Sequence, residues 1–207
     1  MEDHFTRLCL VRHGETDWNK KRLIQGITDI PLNEAGRDQA RQCAQVLSQD
    51  PWDLMYSSPL RRAFETARII GEEIGFSSRD IKTEIDLQER NFGEAEGMEI
   101  FPRKELFHDT EIPGAETKEE LQTRATYCLE KIARRHRGKR IVIVTHGGLI
   151  AGAIERLSEG RIPAGIEPVK NTSLTLLQYN NSWEVLYFNQ LSPDLETAVD
   201  RVYSGDQ

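Results

Sequence analysis

Three short stretches of this sequence gather side chains able to handle an anion. Arg12-His13-Gly14-Glu15 follows the apolar run Leu8-Cys9-Leu10-Val11, Ser57-Ser58-Pro59-Leu60-Arg61-Arg62 follows Leu54-Met55-Tyr56, and Thr145-His146-Gly147-Gly148 follows Ile141-Val142-Ile143-Val144. The planar fork of arginine matches two phosphoryl oxygens, an imidazole can act as a nucleophile, and a carboxylic acid can protonate a departing alcohol. A single histidine at a strand end is more often a hydrogen-bonded structural residue, so the weight rests on the combination. Glycine directly after each histidine removes a side chain where backbone or ligand must come close, and helices starting near Ser58 and Gly147 would aim N–H donors at an anion. The other histidines, His4, His108 and His136, stand in polar or terminal contexts and are expected at the surface.

For these groups to meet, the runs that precede them must be neighbouring strands. The runs at 8–11 and 141–144 are continuously apolar, as central strands of a mostly parallel sheet covered on both faces should be. Ser173-Leu174-Thr175-Leu176-Leu177 and Trp183 to Phe188 are further strand candidates. Helical periodicity lies between them. Asn33 is placed as an N-cap before Ala40, Cys43, Ala44 and Leu47, and Ser58-Pro59 would open a helix carrying Leu60, Ala63, Ala67, Ile70 and Ile74 to a stop at Gly75. Thr117 and Glu120 form a capping-box pair before Leu121, Ala125, Cys128, Leu129, Ile132 and Ala133, with Gly138 beyond. This alternation predicts a three-layer α/β/α sandwich, with ligands beyond the carboxyl ends of the strands.

A length of 207 residues fits one domain over 1–207, and the irregular stretch 91–115, broken by Gly93, Gly97, Pro102, Pro113 and Gly114, is expected to be an insertion or lid. Hydrophobic residues at 38% and charged residues at 29% are a globular balance, and no apolar run nears the roughly 20 residues of a membrane span. The polar, acidic beginning of the chain points to a cytoplasmic protein. Cys9, Cys43 and Cys128 are spaced without a C-x-x-C pair and are expected to be buried thiols. A net charge of −7 offers no broad attraction to nucleic acid or an anionic membrane, so an anionic substrate needs a local cationic cluster.

The motifs taken together resemble those of the histidine phosphatase superfamily, also called the phosphoglycerate mutase-like family. They are Leu10-Val11-Arg12-His13-Gly14-Glu15-Thr16 with Trp18-Asn19 and Gln25-Gly26, Ser57-Ser58-Pro59-Leu60-Arg61-Arg62-Ala63-Phe64-Glu65-Thr66-Ala67, Leu87-Gln88-Glu89-Arg90-Asn91-Phe92-Gly93, and Val144-Thr145-His146-Gly147-Gly148, followed by Asn171-Thr172-Ser173. The resemblance implies a phosphoglycerate mutase-like sandwich and a phosphatase acting on a small phosphorylated metabolite, with neither cofactor nor metal. It further implies that His13 accepts the phosphoryl group, that Arg12, Arg62 and His146 surround its oxygens, and that Asn19 with the backbone at Gln25, Gly26 and Gly147 completes the pocket. Arg62, directly before Ala63, is the match, and Arg61 is expected in solvent. Glu89 would protonate the leaving alcohol and then activate water, while the role of Glu15 stays open. Where many relatives carry an aromatic residue in the Phe-Gly-x-Trp-Glu-Gly segment, this chain has Ala95.

Three rival functions follow from the same residues. Two histidines and a glutamate could hold zinc, but Arg12 and Arg62 would set fixed positive charge around the cation. A non-catalytic phosphate-binding module would have lost the nucleophile or the acid, and both His13 and Glu89 are present. A cofactor-dependent phosphoglycerate mutase shares the Glu89-Arg90 pair, but position 92 is Phe, and the stretch Phe101-Pro102-Arg103-Lys104-Glu105-Leu106 is short for a mutase insertion.

Overall fold

The apolar runs become the strands of one sheet because each is hydrophobic on both faces and can be buried only between two helical layers. A computed structural model describes residues 5–100, 112–165 and 167–191. Its strands are β1 (Thr6–Arg12), β2 (Leu54–Ser57), β3 (Ile81–Thr83), β4 (Arg140–Thr145), β5 (Leu174–Tyr179) and β6 (Trp183–Gln190), in the order β3-β2-β4-β1-β5-β6. The pairs β1/β4, β2/β4 and β2/β3 are parallel, and β5 runs against both of its neighbours. The architecture is the expected α/β/α sandwich. β3 was not foreseen: only Ile81 of its three residues is buried, so it has no apolar run to read.

The helices are α1 (Asp17–Lys20), α2 (Glu34–Leu47), α3 (Arg61–Ile74), α4 (Lys118–Arg135) and α5 (Gly147–Leu157). Leu8, Leu10, Ile141 and Ile143 face α4 and α5, while Cys9, Val11, Val142 and Val144 face α2 and α3, so successive residues of β1 and β4 feed opposite cores. All three cysteines are buried and free. Asn33 caps α2 by accepting from Gly36 N at 2.8 Å, Thr117 and Glu120 form their capping box, and Gly75 ends α3 at φ +91°.

The start of α3 differs from expectation. The helix begins at Arg61, not at Ser58-Pro59, and its N-cap, Leu60, offers no side-chain cap. Ser58 is drawn away instead, its Oγ hydrogen-bonded to His146. His136 is half-buried rather than on the surface, with Nε2 at 2.9 Å from the Tyr56 hydroxyl. His4 and His108 lie outside the described residues. So do Phe101 to Leu106, including Arg103 and Lys104, in the middle of the expected lid. The described flanks of that stretch hold a 3-10 turn, Gly93–Ala95, and isolated bridges Leu23 to Glu99 and Phe92 to Ala115.

The loop after β1 is pinned to the first turn of α2 by two facing glycines. A Cβ on Gly14 would lie 2.3 Å from Gly36 O, and one on Gly36 would lie 2.1 Å from Glu15 O. Glu15, whose role the sequence left open, seals the same contact: its Oε1 accepts from Asn33 Nδ2 at 2.9 Å and its N–H donates to Gln39 Oε1 at 2.8 Å. Alanine in a helix ordinarily gains up to about 1 kcal/mol over glycine. Gly36→Ala should do the reverse and cost about 1–3 kcal/mol through backbone overlap, measured as a lower urea midpoint.

Candidate active site

Strand register alone brings the two histidines together. Arg12 pairs with Thr145 across β1 and β4, so the next residues, His13 and His146, leave the sheet side by side, with ring centroids 5.1 Å apart. Ser57 pairs with Val144 at the end of β2, which delivers Ser58 to the same edge. The backbone of His13 is held on both sides: its N–H donates to Thr145 O at 2.9 Å, and its carbonyl accepts from Asn171 Nδ2 at 2.9 Å. Thr66 in α3 fixes the other edge of that His13–Gly14 peptide by accepting from Gly14 N at 3.0 Å.

The ring of His13 is 2% exposed and its Nδ1 lies 2.7 Å from Gly14 O. A carbonyl can only accept, so the proton sits on Nδ1 and the lone pair is on Nε2. That lone pair faces Arg62, whose Nε–H donates to it at 3.3 Å. His146 is fully buried, its Nε2 is 2.8 Å from Ser58 Oγ, and its Nδ1 has no partner among the described residues. Burial, followed by the charge of Arg62, keeps both imidazoles well below the usual 6.5, and both are neutral at neutral pH.

The guanidiniums are confined without a counter-ion. Arg62 is fully buried and donates from Nη1 to Thr28 O at 2.8 Å and from Nη2 to Gly26 O at 2.7 Å. Arg12 donates from Nη1 to Val169 O, and its buried Nε has no partner among the described residues. Neither makes a salt bridge among the described residues. Burial lowers both, Arg62 to about 10, while the nearby Glu89 carboxylate opposes the shift in each. Arg61, as expected, is exposed.

Asn19 and Gln25 turn their amide oxygens toward Thr16, which donates from Oγ1 to Asn19 Oδ1 at 3.2 Å and to Gln25 Oε1 at 2.9 Å. Their NH2 ends, the donors an anion needs, have no partner among the described residues. Gly26 serves the site through its carbonyl on Arg62. Its own φ of +54° and the Glu96 carboxyl, which a Cβ there would meet at 1.9 Å, leave no room for another residue.

The two glycines of α5 admit side chains of the protein. A Cβ on Gly147 would stand 3.3 Å from Arg12 Nε, and one on Gly148 would stand 2.6 Å from Glu89 Oε1. Glu89 lies across the first turn of α5, accepting from Gly148 N at 3.0 Å and Leu149 N at 2.9 Å. Asp29 likewise accepts from Arg61 N at 2.8 Å at the start of α3. Of the N–H groups expected to face an anion at these two helix starts, those of Gly148, Leu149 and Arg61 are thus taken by carboxylates of the protein, and, among the described residues, those of Gly147 and Arg62 are not.

Ser58, Thr66, Glu96, Arg124 and Asn171 support the site; the sequence offers Ser58 only as a helix start and gives the other four no individual role. Glu96 shows why: its carboxylate takes Ile27 N and Thr28 N at 2.9 Å each, the Thr28 hydroxyl, and Phe92 N at 3.1 Å. It joins two loops that no periodicity or spacing connects. Ala95 is fully buried, so the place of the missing aromatic residue is closed over.

The model of the histidine phosphatase superfamily, branch 1, matches residues 8–190. The chain belongs to that superfamily. This phosphatase-type enzyme is 36% identical over 185 residues to the uncharacterized phosphatase PhoE of Bacillus subtilis, an alignment covering 89% of this chain and 94% of the relative. It is 31% identical to a 2,3-bisphosphoglycerate-dependent phosphoglycerate mutase of Parvibaculum lavamentivorans, over 73% of this chain and 80% of the relative. A solved variant of the phosphoserine phosphatase of Entamoeba histolytica, in complex with phosphoserine, superposes with a TM-score of 0.78 at 28% identity, covering 90% of this chain and 98% of that one.

The neutral, buried imidazoles of the phosphatase set a pH dependence of stability. In the unfolded chain both titrate near 6.5, and below that pH the unfolded state binds protons that the folded state refuses. Their contribution is therefore complete above about pH 6.5 and is lost as the pH falls, at up to about 1.4 kcal/mol per pH unit for each ring. Urea unfolding between about pH 7 and pH 5 should show a steeper loss in the parent protein than in a His13→Gln, His146→Gln double variant. Equal slopes would show that the rings are not held neutral.

Proposed function

We propose that this enzyme hydrolyses a small phosphomonoester without a metal ion, through a phosphohistidine on Nε2 of His13. The observation that carries this reading is a neutral imidazole lone pair beside the fully buried Arg62 and the part-buried Arg12, neither of which forms a salt bridge among the described residues. Unpaired buried cations are costly, and a phosphoryl dianion supplies the missing charge. The same fixed positive charge opposes a divalent cation at His13.

In the first step His13 Nε2 attacks phosphorus while the bond from phosphorus to the alcohol oxygen breaks. The departing oxygen takes a proton from Glu89. Arg62 Nε, now facing the lone pair, turns its hydrogen bond to a phosphoryl oxygen, and Arg12 Nε and the His146 Nδ1–H donate to the others. Asn19 and Gln25 NH2 groups add further donors. In the second step a water oxygen attacks the phosphorus of phospho-His13, its proton passes to Glu89, and the N–P bond breaks to release inorganic phosphate and regenerate the lone pair. Catalysis by such a site is mainly positioning and charge stabilisation.

The substrate reading is a small phosphorylated metabolite, and a phosphoserine-type monoester heads the panel because the superposed enzyme of Entamoeba histolytica binds phosphoserine. The 31% identical relative keeps the mutase as the second reading. It requires the dephosphorylated product to be retained and water excluded. Against it stands Phe at position 92, with the Arg90 guanidinium 5.2 Å over its ring, where the mutase pattern has Tyr.

Rapid quench of the phosphatase with labelled substrate and excess EDTA should trap acid-labile, base-stable phosphate on the protein, and a His13→Ala variant should trap none. Full labelling of that variant, or dependence on added zinc or magnesium, would overturn the assignment. A phosphomonoester panel should release inorganic phosphate steadily, whereas 3-phosphoglycerate primed with 2,3-bisphosphoglycerate should yield little 2-phosphoglycerate. Interconversion faster than phosphate release on every panel member would install the mutase reading.

A further inference from the structure

Glu89 sits on an irregular segment between the 3-10 turn Ile85–Leu87 and the loop beginning at Asn91, with no strand or helix of its own to fix it. Such a segment normally leaves its carbonyls to water. Here four consecutive carbonyls are taken by the protein. Arg124 Nη1 donates to Asp86 O at 2.8 Å and to Gln88 O at 3.0 Å, Arg124 Nη2 donates to Glu89 O at 3.4 Å, and Thr145 Oγ1 donates to Leu87 O at 2.7 Å. The remaining face of Arg124 is bidentate to Glu116, from Nε to Oε1 and from Nη2 to Oε2, both at 2.9 Å. All five of its N–H bonds are thereby used.

Glu116 also holds the downstream side. Its carbonyl accepts from Arg90 Nε at 2.9 Å, its N–H donates to Asn91 O at 2.9 Å, and its Oε2 accepts from Asn91 N at 3.4 Å. Arg124 stands on the regular helix α4, packed on the sheet through Leu121, Ala125 and Cys128. The rigid layer of the sandwich is thus tied to the backbone of one loop residue, Glu89, and to both of its neighbours.

From this geometry we infer that the Arg124–Glu116 pair is a positioning device that sets Glu89 for proton transfer to the leaving group. The inference rests on the proton-donor role of Glu89 proposed above. Neither residue touches the reacting atoms. Lysine at 124 would keep the charge but not the fork, since an ammonium cannot span three carbonyls and a carboxylate from one position.

The test reads leaving-group dependence, because an alkyl phosphate needs protonation and 4-nitrophenyl phosphate hardly does. Glu89→Gln should lower kcat on the alkyl substrate by about 10²–10⁴-fold and much less on the aryl one. Arg124→Lys and, as a milder change, Glu116→Gln should each lower alkyl turnover about 10- to 100-fold with a loss of at most about threefold on the aryl substrate. Circular dichroism and thermal melting verify that each variant is folded. Added to Glu89→Gln, Arg124→Lys should leave the alkyl-to-aryl ratio unchanged, as two steps of one function do. If Glu89→Gln discriminates but folded Arg124→Lys and Glu116→Gln lower both substrates equally, or if their effect on the ratio persists without Glu89, the positioning inference falls alone. If Glu89→Gln lowers both substrates equally, the proton-donor reading falls and takes the inference with it.

Discussion

The site is organised around a charge that the protein buries without a salt bridge among the described residues. Arg62 is fully enclosed, yet its partners are two carbonyls and an imidazole. Carbonyl dipoles orient a guanidinium without cancelling its charge, and a carboxylate in their place would close the site to an anion. The carboxylate that could have done so, Glu96, is one step removed: it binds N–H groups of Ile27 and Thr28, while Gly26 and Thr28 give their carbonyls to Arg62. The loop thus relays orientation and leaves the charge exposed to a ligand. Burial, with the same cation second, holds His13 and His146 neutral and leaves a lone pair on His13 Nε2.

Clearance is the second constraint. Gly26 admits Glu96, Gly147 admits Arg12 and Gly148 admits Glu89, so these glycines are spaces cut for particular side chains of the protein itself. Gly14 and Gly36 do the same for two backbones. Close approach lets several charged and polar groups share one sheet edge, and the burial of His13, Arg62 and His146 there strengthens each electrostatic contact.

Fixing the loops is the third. His13, Ser58 and His146 sit just past strand ends, where backbone order normally fades. Here Asn171 and Thr66 hold the His13 peptides, Ser58 orients His146, and Arg124 with Thr145 holds the segment of Glu89. Each anchor comes from a different part of the chain. The edge is thereby tied to the sandwich beneath it, although it is made of loops.

Much of this was determined by the sequence alone. The uninterrupted apolar runs at 8–11 and 141–144 dictate central strands because nothing else buries both faces, and Asn33, Thr117 with Glu120, and Gly75 mark helix ends through local hydrogen bonds or left-handed backbone. The residue types at 12–13, 62 and 146 announce phosphate chemistry because arginine and histidine after strand ends have few other uses in such number. Only the tertiary structure decided what depends on contacts between distant segments. It placed Glu89 and Asp29 on the helix starts that had been offered to the anion, moved the start of α3 to Arg61, assigned Glu15 to the seal with α2, and made anchors of Glu96 and Arg124. Strand and cap signals are written within a few residues, whereas a carboxylate or guanidinium in a loop can serve any segment that folding brings within about 3 Å, and one-dimensional spacing carries no record of that choice.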